Sequence, residues 1–224
     1  MASRSLTAVA ATDEPMVRQR VRIRFAKQGD LRWIGHRDLM RCMERLFRRA
    51  ELRLGMSQGF HPKPRVTFPS PLAVGIEGTD EVMELELAET CIADDLRDRL
   101  VSQAPPGLNV TSVEVLPEGS RKVRVREVVC QAPVPENLQP GLPAKIDELL
   151  ALSSCPIQRP KRRTPVDLRP LLSELTFADG VLSMRLRVSQ EAGVSPRDVL
   201  GVLGLGDLEH QGAHLTRTRV EINA

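Results

Sequence analysis

The stretch VRQRVRIRF, residues 17–25, predicts the fold most directly. Its odd positions are apolar apart from Gln19, whereas every even position is an arginine. Side chains point alternately to the two faces of a β-strand, so the pattern predicts a half-buried strand with one apolar and one basic face.

An amphipathic helix is predicted directly after this strand. Leu39, Met43 and Leu46 recur at helical spacing from a start near Gly35, and arginines occupy the opposite side. Further along, the periodicity predicts strands at 66–68, 81–87 and 110–116 and a helix at 93–103. The order β-α-β-β-α-β is that of a ferredoxin-like unit.

The second half of the chain repeats this order less clearly. It is predicted to contain strands at 123–129, 174–177, 181–188 and 215–222 and helices at 143–152 and 195–203. We therefore predict an α+β fold of two tandem ferredoxin-like (βαββαβ) units with antiparallel sheets. The expected divisions are a disordered tail at 1–16, a first domain at 17–118 and a second at 121–224 with an insertion at 156–170.

The composition limits the class of protein. The chain has 224 residues, a net charge of +3 and 41% hydrophobic residues, and no apolar run approaches the roughly 18–20 residues of a membrane span. The first 16 residues lack the apolar core of a secretory signal. The four cysteines show no metal-site spacing, so we expect buried free thiols in a cytoplasmic protein that has no cofactor, no bound metal and no membrane partner.

The small net charge hides a strong segregation. Residues 18–65 contain 14 Lys or Arg against 4 Asp or Glu, whereas residues 76–118 contain 2 against 11. Aromatic residues are scarce, with five Phe, one Trp and no Tyr. Stacking of bases on aromatic rings is therefore not expected to be the main way of holding a nucleic acid, and arginine would do most of it.

Three motifs carry a resemblance to a known family: RWIGHRDLMR (32–41), GFHPKPR (59–65) and PLAVG (71–75). Together they resemble the radical-SAM-associated family, a bacterial domain of unknown function that is commonly fused to, or encoded beside, a radical SAM enzyme. The likeness runs from about residue 17 to the end and is strongest in 20–90. The family usually has serine where this chain has Gly35 and Gly78.

The resemblance implies a role in RNA metabolism, since the family's genes commonly lie near those of ribosomal proteins and an RNA-processing nuclease. It implies RNA, either tRNA or rRNA, and a radical SAM enzyme in trans as partners. At the level of fold, the pattern is also similar to the CRISPR repeat-processing endoribonucleases, which are tandem ferredoxin-like RNA binders.

Basic residues in three places are candidates for RNA contact: the first strand, the first helix with the loop after it, and a proline-bounded basic segment. A solvated sheet face, a rigid loop anchored by Phe60 and a solvated segment are the alternatives. The candidate residues are Arg18, Arg20, Arg22, Arg24, Arg37, Arg41, His61, Lys63, Arg65, Lys161, Arg162 and Arg163.

A catalytic function is a weaker alternative. His36 and His61 could act as acid or base in RNA cleavage, with Asp38 nearby in sequence. An ordinary capping carboxylate and a surface histidine account for the same residues. Taken together, the basic residues and the family resemblance favour a non-catalytic RNA-binding accessory module for a radical SAM enzyme over a metal-independent endoribonuclease or a scaffold that binds the radical SAM partner without RNA. Glutamates on the strand at 81–87 are expected to form a solvated face.

Overall fold

A computed structural model describes residues 19–159, 164–189 and 193–223 of the chain. This part forms a mixed α/β structure with a large, mostly antiparallel sheet of eight strands and four α-helices. Four of the candidate residues, Arg18 and Lys161 to Arg163, lie outside the described residues, as does the predicted tail at 1–16.

The first half of the chain follows the predicted order. Its elements are β1 (Gln19–Lys27), α1 (His36–Arg49), β2 (Val66–Thr67), β3 (Glu77–Leu87), α2 (Ala93–Gln103) and β4 (Leu108–Leu116). Their positions confirm the strands and helices that the periodicity predicts for this half.

The second half contains β5 (Arg124–Pro133), α3 (Leu142–Ala151), β6 (Pro156–Ile157), β7 (Val166–Asp167), β8 (Leu172–Ala178), β9 (Val181–Arg187), α4 (Pro196–Val202) and β10 (Thr216–Asn223). A capping box begins α4, in which Ser195 and Asp198 each bond the other's backbone N–H. The short strands β6 and β7 pair only with each other and stand apart from the large sheet.

The strands of both halves join one continuous sheet. Its order is β4-β1-β3-β10-β5-β9-β8, with β2 paired to β3 beside this path. Every neighbouring pair is antiparallel except β3 and β10, which are parallel over Thr216–Glu77 and Arg217–Gly78. This short parallel contact is where the two halves of the sheet meet.

The alternation in β1 separates a core face from a polar face. Val21, Ile23 and Phe25 are fully buried against α1 and α2, in one of two hydrophobic clusters. The second cluster contains residues of α3 and α4 and also Val82 of β3, whereas the neighbouring Met83 belongs to the first. Both faces of β3 are therefore apolar here, which accounts for the change of phase in its sequence. The pairing of β3 with β1 runs without interruption past Met83, and its register shift lies between Phe25 and Lys27 of β1.

A buried ion pair crosses the meeting point of the two halves. Arg217 of β10 forms a two-pronged contact with Glu81 of β3, with Nε to Oε1 at 2.7 Å, and its Nη2 donates to the carbonyl of Ser70 at 2.8 Å. The side chains of Arg217 and Glu81 are only 7% and 5% exposed. Lys27, also buried, donates to the carbonyl of Ile34, and burial lowers its pKa against the opposing effect of Glu81.

The four cysteines are all free. Cys42 and Cys130 are buried, as expected, whereas Cys91 and Cys155 are only half-buried. Burial raises the pKa of the Cys130 thiol to about 12, so this thiol stays protonated at neutral pH. Within the described ranges, no helix has the length and apolar character that crossing a bilayer requires.

Candidate nucleic-acid interface

The arginines of β1 are held by carboxylates from the neighbouring strands. Glu84 of β3 accepts from two of them, with Nη2–Oε distances of 2.7 and 3.0 Å, and Asp80 binds the third at 2.6 Å. Glu114 of β4 adds a further contact at 3.2 Å. The three arginines, each at most about 30% exposed, are Arg20, Arg22 and Arg24. These three predicted RNA contacts are therefore already ion-paired within the protein.

The second half shows the same pairing on its strands. Arg185 contacts Glu221 and Glu174, and the bond to Arg185 is the main reason that the pKa of Glu221 falls below its ordinary value. Arg187 lies 3.5 Å from Glu127, and Arg126 lies 3.2 Å from Glu221. Arginines and glutamates therefore alternate across the strands and form a network of ion pairs. We call the side of the sheet that carries this network the open sheet face.

The expectation of a solvated acidic strand is wrong for two of its residues. Glu81 and Glu84 are buried, since each is the counter-ion of arginines on adjacent strands. Burying a carboxylate costs free energy unless close cationic partners offset the loss of water. Glu86 likewise binds Arg65 at 3.0 Å, although this pair is more exposed.

The outward face of α1 carries cations that no carboxylate holds within the described residues. Because successive residues of an α-helix rotate by about 100°, four arginines fall within about 80° of one another on the side opposite the buried face. Of these, Arg41 alone has an ion pair in the described part of the chain, to Asp38 at 3.3 Å, and both side chains stay more than half exposed. The four are Arg37, Arg41, Arg45 and Arg48, all exposed.

The loop at 55–65 projects beside this helix on a stem of backbone bonds. The Arg65 N–H donates to the carbonyl of Gly55, and Ser57 and Lys63 exchange two bonds of 2.8 and 3.0 Å. Gly59 has φ +123°, a conformation that favours glycine, and prolines at 62 and 64 stiffen the descending side. The tip at 58–62 is exposed, and Phe60 is fully so, which shows that the alternative in which Phe60 anchors the loop to the helix is wrong.

A groove of about 630 Å³ separates the loop from the second half of α1. Arg48 and Glu44 line it from the helix, and Lys63 lines it from the loop between Pro62 and Pro64. Residues 36–65 contain eight Lys or Arg against three Asp or Glu. We give the name α1–loop surface to six of these eight cations: Arg37, Arg41, Arg45, Arg48, Lys63 and Arg65.

The two candidate catalytic histidines have no contact with one another. His36 lies at the first position of α1, with its ring edge-on to Phe68 at a centroid distance of 5.4 Å, whereas His61 is exposed at the loop tip. Asp38 is bound to Arg41 instead of a histidine. Within the described ranges, no group of three or more His, Cys, Asp and Glu is placed to hold a metal ion.

The three sequence motifs do meet around α1. The N–H of Gly75 donates to the carbonyl of Arg32 at 2.8 Å, and a Cβ on Gly75 would lie 3.4 Å from the ring of Trp33. The motif at 71–75 thus supports the segment that leads into α1, and the motif at 59–65 flanks the second half of the helix. All three motifs therefore lie on α1 or next to it.

A second basic region lies on the open sheet face and is the main rival to the α1–loop surface. A groove of about 830 Å³ there is lined by Arg124, Arg126, Glu127 and Arg187 among others. Two of its three arginines are ion-paired. Arg124 and the nearby Arg219 are exposed and have no carboxylate partner in the part of the chain that the structure describes.

Comparisons with known proteins place the chain in a family. A search of curated proteins finds no match. A solved structure titled as an unknown protein from Galdieria sulphuraria is 11% identical, with 92% of this chain and 99% of that chain covered, but its TM-score of 0.30 does not establish a common fold. The family model described as "uncharacterized protein conserved in bacteria (DUF2344)" matches residues 20–196, from β1 to the start of α4. The chain therefore belongs to the DUF2344 family.

Proposed function

We propose that this protein binds RNA through the α1–loop surface and acts as a non-catalytic accessory module that presents the RNA to a radical SAM enzyme. The observation that carries the RNA-binding part is the contrast between its two groups of arginines. Those on β1 are ion-paired, whereas Arg37, Arg45 and Arg48 extend from α1 with no carboxylate partner among the described residues. Cations left unpaired by the protein remain available to phosphates.

The spacing of these cations suits a nucleic-acid backbone. Arg37, Arg41 and Arg45 follow one another at four-residue intervals, which corresponds to about 6 Å along the helix axis. A guanidinium group can donate two parallel hydrogen bonds to one phosphate. The helix is held rigidly by its buried face, so the arginines are presented without prior ordering of the backbone.

Each half of the chain supports the predicted ferredoxin-like unit. Counted from its own first strand, the first half has the order 4-1-3-2, which is β4-β1-β3-β2. The second half gives the same order as β10-β5-β9-β8. We therefore retain two tandem βαββαβ units, joined at β3 and β10 into one sheet, as the architecture that carries this surface.

The radical SAM enzyme is proposed as a partner because of the resemblance of the three motifs. RNA binding does not depend on that partner and can be measured with the protein alone. A partner enzyme that acts on the same RNA is then expected to bind that RNA more tightly when this protein is present. By thermodynamic linkage, the enzyme would raise the affinity of this protein for the RNA by the same factor.

The test of RNA binding is its dependence on salt. If six cations contact phosphates, raising the salt concentration from 50 to 200 mM is expected to weaken binding to a tRNA or rRNA fragment by about 10³-fold. Fluorescence anisotropy of labelled RNA at four or more salt concentrations measures the slope. An affinity that is unmeasurable at 50 mM salt, or that stays the same at 200 mM, would contradict the proposal.

A further inference from the structure

Phe60 differs from the other Phe and Trp residues in its exposure to solvent. It is fully exposed (102%), whereas Phe25 and Phe47 are buried and Phe68 and Phe177 are at least half-buried. The remaining aromatic residue, Trp33, is 59% exposed, but the guanidinium of Arg32 stacks on its ring at 4.8 Å. Phe60 is thus the one aromatic ring of this chain that presents its whole surface to solvent.

The loop holds this ring away from the body of the protein. Both sides of the stem are fixed by the Ser57–Lys63 and Gly55–Arg65 bonds, and prolines follow the tip. Collapse of Phe60 onto the core would bury apolar area and stabilise the fold. A stiff stem that prevents this collapse keeps the ring free for an external contact.

The neighbours of Phe60 indicate what that contact is. His61 follows it, Lys63 and Arg65 lie on the descending side of the loop, and Arg48 faces Lys63 across the groove. An aromatic ring among cations favours a ligand that combines a flat apolar face with negative charge, which is the chemistry of a nucleotide. Proteins that bind single strands pair basic grooves with exposed rings in this way.

We infer that Phe60 stacks on an unpaired base, so that the RNA recognised by the α1–loop surface is single-stranded at this point. The inference rests on the proposed function, because it names the form of RNA that the same surface binds. The bases of a duplex are stacked on one another and cannot offer a free face to Phe60. Cations of the α1–loop surface hold the flanking phosphates while the ring receives the base.

The test compares Phe60→Leu with the wild type on single-stranded and double-stranded RNA of equal length. Leucine keeps the apolar character and removes the flat ring. The affinity for the single strand is expected to fall about tenfold, equivalent to about 1.4 kcal/mol. The affinity for duplex RNA and the slope of affinity against salt are expected to stay unchanged. Phe60→Trp is expected to restore binding, and Ile92→Ala, which shortens an exposed apolar side chain at the start of α2, serves as the matched control.

The outcomes separate this inference from the proposed function. If RNA binding is salt-dependent but Phe60→Leu leaves it unchanged, the stacking inference is overturned and the proposed function stands. Phe60 would then be free to contact a protein partner. An equal loss on single-stranded and duplex RNA would also overturn it, since the ring would not be reading an unpaired base. Failure of the wild type to bind either RNA at low salt would contradict both.

Discussion

Changing Arg37, Arg48 and Lys63 all to glutamine is expected to weaken RNA binding by on the order of 10³-fold, because each charge-assisted contact contributes about 1.5 kcal/mol. The slope of log affinity against log salt should fall by about 2, at about 0.7 per phosphate contact for a single strand. All three side chains are exposed, and none has a carboxylate partner in the described residues. The measurement is an anisotropy titration at several salt concentrations.

A variant with the same change of charge on β5, β10 and the segment just before β5 is the control. Lys122, Arg124 and Arg219 are exposed and likewise have no carboxylate partner in the described part of the chain. Changing them to glutamine is expected to alter affinity by less than about threefold, since only the long-range field is reduced. A loss as large as that of the α1–loop variant would place the interface on the sheet instead.

Replacing Glu81 with glutamine is expected to lower the free energy of unfolding by about 3–5 kcal/mol, the usual effect of removing one partner of a buried ion pair. Glutamine has nearly the same shape, so the effect comes from charge and not from a cavity. Arg217 and the nearby Lys27, both buried, would be left without a counter-ion. Urea denaturation followed by circular dichroism gives the change directly.

The control for this prediction is Asp98→Asn. Asp98 lies on α2, 3.7 Å from Arg97, in a pair that is largely exposed. Exposed pairs contribute little to stability, so this variant should unfold at nearly the wild-type midpoint. If Glu81→Gln cost no more than Asp98→Asn, the pair that joins β3 and β10 would not be what holds the two halves of the sheet together.

The local elements of this fold follow from the sequence, whereas the pairing of distant strands does not. The alternation in β1 predicts both its buried face and its arginine face, because that pattern is contained in nine consecutive residues. Nothing local to β1 shows that Glu84 lies opposite Arg22, since their register depends on two strands that are 62 residues apart. The sequence of β1 alone therefore does not reveal the carboxylates that neutralise its arginines.

The candidate site divides in the same way. The helical spacing of Arg37, Arg41 and Arg45 predicts a shared outward face, and the structure places them on one. Proline and glycine in GFHPKPR predict a stiff loop, but composition alone suggested that aromatic rings contribute little. The exposure of Phe60 depends on hydrogen bonds between the two sides of the loop stem, which no periodicity reveals.

Cross-linking locates the RNA on the protein without any substitution and tests the central proposal most directly. A single-stranded RNA carrying photoactivatable uridine would be cross-linked to the full chain at low salt, and the modified peptides would be identified by mass spectrometry. We predict that the cross-links fall within residues 36–49 and 55–65, on α1 and the loop beside it. Cross-links confined to 122–126 and 216–223, at the start of β5 and on β10, would contradict the account.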